Sequence, residues 1–73
     1  MTVFDLKKGE EAKVISIKLE GGAAARLAAL GLKIGTRVQV LSFSLFKSAA
    51  LIAFGAVRVG VRKRLAERIE VVQ

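Results

Sequence analysis

The fold turns on residues 26–40, RLAALGLKIGTRVQV. Ala23, Leu27 and Leu30 share one stripe at i, i+4, i+7 spacing, and Gly21-Gly22 and Gly31 bracket a helix of about nine residues. With Leu30 as the last half-helical residue, Gly31 takes the left-handed position after it. Leu32 then folds back onto Leu27 in a Schellman arrangement. Four residues after Gly31, Gly35 supplies the positive φ that the third position of a type II turn requires. From Arg37 the pattern alternates, so Val38 and Val40 share one face of a strand. Fifteen residues therefore encode a helix end, a reversal, a turn and a strand, with Arg26 left on the solvated side.

The same grammar stands earlier in the chain. Leu6-Lys7-Lys8-Gly9 precedes Glu10–Ile17 as Leu32-Lys33-Ile34-Gly35 precedes Thr36–Phe43. Gly9 plays the part of Gly35, and Ala12 and Val14 play the part of Val38 and Val40. Two copies are too few for a solenoid, and turn-plus-strand units recur throughout β proteins. Downstream, Ser44–Ser48 reads as a turn around Lys47, and Ala49–Phe54 as a strand apolar on both faces. Gly55-Ala56 turns into Val57–Arg62, where valine alternates with arginine and glycine. Lys63–Arg68 makes one helical turn that points Leu65, Ala66 and Ile69 inward, and Ile69–Val72 closes the set. About five short strands with one or two short helices predict a single mainly β domain over 1–73. A small barrel is the expected form, because closure removes exposed strand edges.

A domain of 73 residues buries only about 60% of its unfolded surface, yet 53% of this chain is hydrophobic. The surplus predicts apolar surface left outside or covered by a partner. Thirteen Lys and Arg against six Asp and Glu give a net charge of +7, suited to nucleic acid, anionic lipid or an acidic protein face. Cysteine and histidine are both absent. That removes disulfides, thiolate chemistry, Ser-His and Cys-His nucleophile pairs and the usual zinc ligand sets. The carboxylates are Asp5, Glu10, Glu11, Glu20, Glu67 and Glu70, a poor set for an iron(II) site or for acid–base catalysis. The expectation is no catalytic residue, no metal site and no cofactor. The N-terminus lacks the order of a secretory signal, so the chain reads as unexported. The best membrane candidate, Val38–Val57, is broken by Gln39, Ser42, Ser44, Lys47 and Ser48, and its cleanest run falls well short of the ~20 residues a span needs.

The ordered set Leu6-Lys7-x-Gly9, Ala12-x-Val14, Arg26-Leu27-x-x-Leu30-Gly31-Leu32-x-x-Gly35-x-x-Val38-x-Val40, Val59-Gly60-Val61-Arg62 and Ala66-x-x-Ile69-x-Val71 resembles the FeoA family of ferrous iron transport proteins. That resemblance implies an SH3-like β-barrel in the cytoplasm, concerned with iron ion homeostasis. It also implies a partner: FeoB, the ferrous iron permease with a cytoplasmic G-protein domain, on which FeoA acts as an accessory and not as an enzyme. The same fold occurs as the C-terminal domain of iron-dependent repressors. Two features depart from the family pattern. Lys8 and Ile34 stand where Pro is usual before the turn glycines, and Ser42–Phe54 is apolar where the family's loop is often polar.

These readings place partner contacts at three sites. Arg26 and Lys33 rim the helix-turn corner, whose glycines Gly9, Gly31 and Gly35 are structural. In the 43–54 segment, Leu51 and Ala53 are expected inward, leaving Leu45, Phe46, Ile52 and Phe54 as an exposed patch. Such a patch suits a membrane protein, a second copy of the chain or the lipid interface at the inner membrane face. The third site is the basic group Arg58, Arg62, Lys63, Arg64 and Arg68. The alternatives are a nucleic-acid-binding barrel and a self-assembling structural protein. The first is disfavoured because Tyr and Trp are absent and the few phenylalanines lie apart from the charge.

Overall fold

The computed structural model describes residues 1–73. Its elements are β1 (Glu11–Ile17), α1 (Gly21–Ala29), β2 (Arg37–Phe43), β3 (Ala49–Phe54), β4 (Val57–Arg62), α2 (Lys63–Ala66) and β5 (Ile69–Val72). The strands form one antiparallel sheet in the order β4-β3-β2-β1-β5.

The two echoing sequence units lie at the centre of that sheet and cross each other. Ala12 and Val38 hold the same place in the two units, and they pair directly. Around them the hydrogen bonds repeat with a local two-fold relation. The Gly9 amide donates to the Val40 carbonyl (2.7 Å) and the Val40 amide to Glu10 (3.1 Å). In the other unit the Gly35 amide donates to Val14 (2.8 Å) and the Val14 amide to Thr36 (2.8 Å). Both turns close as expected, Glu10 to Lys7 and Thr36 to Lys33, with Gly9 and Gly35 at φ of 88° and 97°. The side chain of the fourth residue locks each turn. Glu10 Oε1 accepts from the Lys7 amide at 2.6 Å and Thr36 Oγ1 from the Lys33 amide at 3.1 Å. The Lys7 amide, and after it the Gln73 side chain, holds the Glu10 carboxyl below its ordinary value.

The symmetry extends outward. Ile15 in β1 and Leu41 in β2 each mark a break in register against the outer neighbour. Bulges bend a strand and increase its twist. Each central strand therefore pairs with the other through its first half and with an outer strand, β5 or β3, through its second. The sheet curls into an SH3-like barrel around fifteen buried residues, all apolar, so nothing inside it needs a polar partner. The curl stops short of closure: β4 and β5 remain as edges, a correction to the expectation that closure removes them. The helical turn α2 sits between β4 and β5 in the chain and buries Ala66.

The helix-turn corner forms as read. The Leu32 amide donates to Leu27 and the Gly31 amide to Ala28, both at 3.0 Å, with Gly31 at φ 105°. Leu27 and Leu32 are buried, whereas Leu30 is exposed, because the Schellman turn gives its inward place to Leu32. A short 3-10 turn over Val3–Asp5, unforeseen from sequence, adds Val3 and Leu6 to the core. Its Thr2 amide donates to Asp5 Oδ2 at 2.8 Å.

One turn yields substitutions of opposite sign. At Gly35 an added Cβ meets open space but the φ is one that side-chain-bearing residues rarely adopt, so Gly35→Ala should cost about 1–2 kcal/mol. Next to it the Ile34 amide makes no hydrogen bond, and the second position of a type II turn favours Pro. Ile34→Pro should therefore raise stability by about 0.4–1 kcal/mol, and chemical denaturation of the two variants measures both shifts.

Candidate interaction surface

Between β2 and β3 the chain makes a short, tightly tied tip. The Ser44 amide donates to Ala49 (2.9 Å) and the Lys47 amide to Ser44 (2.8 Å). Ser44 Oγ accepts from the Ala49 amide and shares a hydrogen bond with Ser48 Oγ, both at 2.8 Å. Two residues of this tip, Phe46 (φ 62°) and Lys47 (φ 54°), occupy the left-handed region. They are the only non-glycine residues in the chain that do so. A bulky side chain there costs roughly 1–2 kcal/mol, and such strain gathers at functional positions.

The strain sends the two side chains opposite ways. Lys47 folds back, its Nζ 4.7 Å from the centre of the Phe43 ring and 5.7 Å from that of Phe4. Those rings meet edge to face at 5.4 Å, and Lys63 Nζ lies over the Phe4 ring. Each cation over a ring is attracted by its negative face. Phe46 points outward with 92% of its surface exposed, beside Leu45 at 80%. The tip thus rests on a plinth of two phenylalanines and two lysines and holds its two apolar side chains in water.

The rest of the predicted patch needs correction. Ile52 is fully buried and Phe54 is 4% exposed, while Leu51 faces solvent. The reason is register. Val40 points inward and pairs with Ile52, and directly paired residues share a face, so Ala50, Ile52 and Phe54 go in together. A strand apolar on both faces carries no mark of which face is inner; its partner decides. Within the 43–54 segment the exposed large apolar residues are Leu45, Phe46 and Leu51, the last lining a shallow depression of about 210 Å³ at the base of the tip, where Gly60 opposite leaves room.

Of the basic residues, Arg62 pairs with Ala49 and the Lys63 amide donates to the Ser48 carbonyl at 3.0 Å, which sets both against the tip. Arg58 lies at the other end of β4, opposite Ala53. Arg26 and Lys33 are exposed on the helix-turn corner, and no hydrogen bond or ion pair links their side chains to the tip. Leu51, read as inward, and the plinth residue Phe4 are the members of this surface that the sequence reading misses, whereas it places Lys47 at the turn. The alternation of β2, continued through the β2–β3 hairpin, was the signal that pointed to Leu51. No group of three or more carboxylates gathers in the structure, and no helix is long and apolar enough to cross a membrane.

The FeoA domain family matches residues 1–73 from end to end. The chain belongs to the FeoA family. The FeoA protein of Chlorobium tepidum is 31% identical and superimposes with a TM-score of 0.90, over 97% of this chain and 68% of that one. FeoA of Stenotrophomonas maltophilia, solved with zinc, is 28% identical with a TM-score of 0.84, over 99% of this chain and 89% of its own. It is described as an SH3 domain protein with a suggested role as a ferrous iron transport activating factor. The iron(II) transport protein A of Clostridium thermocellum (22% identity, TM-score 0.87) and a manganese-dependent transcriptional repressor (20%, 0.86) share the fold, this chain spanning 44% and 40% of their lengths. Among curated proteins no match is found.

Strain and exposure together separate a residue kept for contact from one kept for packing. Phe46→Asn, which suits the left-handed region, should leave stability unchanged or raise it by up to about 1 kcal/mol. Ile52→Ala should cost about 2–5 kcal/mol, and thermal unfolding of the pair distinguishes the two roles.

Proposed function

We propose that this protein is an accessory factor of ferrous iron uptake that acts on the FeoB permease by protein contact, from the cytoplasmic side of the membrane. The observation that carries the reading is the tip: Leu45 and Phe46 held in solvent by a strained, hydrogen-bonded turn. A chain of this size gains nothing for its own stability by that arrangement. Family membership supports the iron uptake context, and the all-apolar interior supports a role in contact over one in chemistry.

Regulation by contact requires differential affinity: the chain must bind one conformational or nucleotide state of the permease better than another. The apolar tip supplies the buried centre of such an interface and Arg62, Lys63 and Lys47 its charged rim, where they would steer association toward an acidic face. Arg26, Lys33 and Arg58 stand apart from this surface and are assigned to a second rim or to solubility. Apolar anchors at the centre of an interface commonly contribute 2 kcal/mol or more, roughly thirtyfold in affinity.

Co-purification of the tagged chain with FeoB from detergent-solubilised membranes tests the proposal. Wild type should retain the permease, Phe46→Ser should lose it, and Arg26→Glu should have the smaller effect. Retention by Phe46→Ser at wild-type level would overturn the role of the tip. A folded wild type that never retains FeoB, and instead grows in hydrodynamic size with concentration, would replace this reading with self-assembly.

A further inference from the structure

A second feature lies beside the tip and is chemically different from it. The segment Lys18-Leu19-Glu20 after β1 and the stretch from Arg62 to Arg68 enclose an open cleft of about 510 Å³, a volume within the range of small-molecule sites. Its lining is Lys18, Leu19, Glu20, Arg62, Arg64, Leu65 and Arg68. Backbone bonds fix the walls: the Lys18 amide donates to the Arg68 carbonyl at 2.8 Å, and the Arg68 amide to Leu65 at 3.0 Å. Arg64, in α2, and Arg68, just beyond its end, line the same space.

The charges in this cleft are unbalanced. The protein has two ion pairs, Lys18 with Glu70 (2.6 Å) and Arg37 with Glu11 (3.9 Å), and neither involves Arg62, Arg64 or Arg68. Glu70 is occupied by Lys18, whose hydrogen bond and charge hold its carboxyl below the ordinary value. Three guanidinium groups thus line one concave surface with the unpaired Glu20 as the only carboxylate among the lining residues.

We infer that this cleft binds a small organic polyphosphate, of which nucleoside di- and triphosphates are the common class. Arginine's planar fork matches phosphate oxygens in a bidentate way, and each phosphate brings several acceptors in little volume. An acidic peptide delivers one negative charge per side chain and cannot concentrate three within this space. Leu19 and Leu65 offer apolar wall to an uncharged, flat moiety attached to the phosphates. Glu20 repels a further anion and accepts hydrogen bonds from sugar or base. Apart from Arg62, the residues of this cleft take no part in the permease reading, and the test uses the chain alone.

The test is a fluorescence titration of the isolated protein with N-methylanthraniloyl-labelled ATP and GTP, with tripolyphosphate as competitor. The expected result is saturable 1:1 binding displaced by tripolyphosphate. Arg64→Ser and Arg68→Ser should each weaken it about tenfold or more, the loss of a charge-assisted hydrogen-bond pair. Arg58→Ser removes the same charge from the far end of β4 and should change affinity less than about twofold. All three side chains are exposed, and circular dichroism should show the variants folded like wild type. Failure to saturate, or equal loss in Arg58→Ser, would overturn the inference by reducing it to net charge. So would retention on anionic vesicles or polynucleotide with no saturable mononucleotide binding, since the cleft would then follow a polymer or a surface.

Discussion

The crossing of two turn-strand units at the Ala12 and Val38 pair sets the rest of the molecule. Each unit's glycine reaches across to the other unit's strand, Gly9 to Val40 and Gly35 to Val14. The turn of one unit thereby fixes the register of the other. That reciprocal arrangement leaves the second half of each central strand free to bend away at Ile15 and Leu41, and β5 and β3 attach there. The curl, the inner face and the order of the sheet all follow. So does the position of the tip, which continues directly from the bent end of β2.

Two kinds of backbone strain occur in this chain, and they have different uses. Glycine takes up the positive φ at Gly9, Gly31 and Gly35, where the fold needs a reversal and no side chain is wanted. At the tip the same region holds Phe46 and Lys47, at a cost that glycine or asparagine would avoid. Four hydrogen bonds among Ser44, Lys47, Ser48 and Ala49, together with the Lys47 contacts to Phe43 and Phe4, hold the conformation against that cost. The result is a preorganised apolar contact, which loses little conformational entropy when a partner covers it. Beside it lies a charged concavity with unpaired arginines, so the protein presents an apolar surface and an anion-seeking surface side by side through Arg62 and Lys63.

Much of this was legible in the sequence because the relevant signals are local. The Schellman end at Leu27–Leu32, both type II turns, the span of β3 and the alternation of β4 depend on residues a few positions apart, and they stand where the sequence put them. What failed was long-range. Ala49–Phe54 is apolar on both faces, so its inner face is decided by pairing with β2 and by the bulge at Leu41, neither of which the segment itself encodes. Local pattern alone therefore points Ile52 and Phe54 outward and Leu51 inward, the reverse of the structure. The Val3–Asp5 turn was invisible for the same reason: its burial comes from β5 and α2, the Met1 carbonyl accepting from the Val71 amide at 2.8 Å. Barrel closure was expected because free edges invite pairing, yet β4 and β5 keep theirs. Arg58 and Arg62 charge the β4 edge, and the N-terminal segment covers part of the β5 edge, where Thr2 bridges Glu70 and the Met1 carbonyl accepts from the Val71 amide. The cleft was beyond reach, since it joins residues on either side of β2, β3 and β4 that only the curl brings together.

The reciprocal crossing holds the fold together, and the tip is borne by it. Native-state hydrogen exchange, resolved by residue, is the measurement that decides whether it does. The amides of Gly9, Val14, Gly35 and Val40 should exchange together and most slowly, at the rate set by global unfolding, with the Phe46 amide, which has no backbone acceptor, among the fastest. If the four crossing amides open separately, or as readily as the edge strands β4 and β5, the crossing is not the element on which the rest of the fold depends.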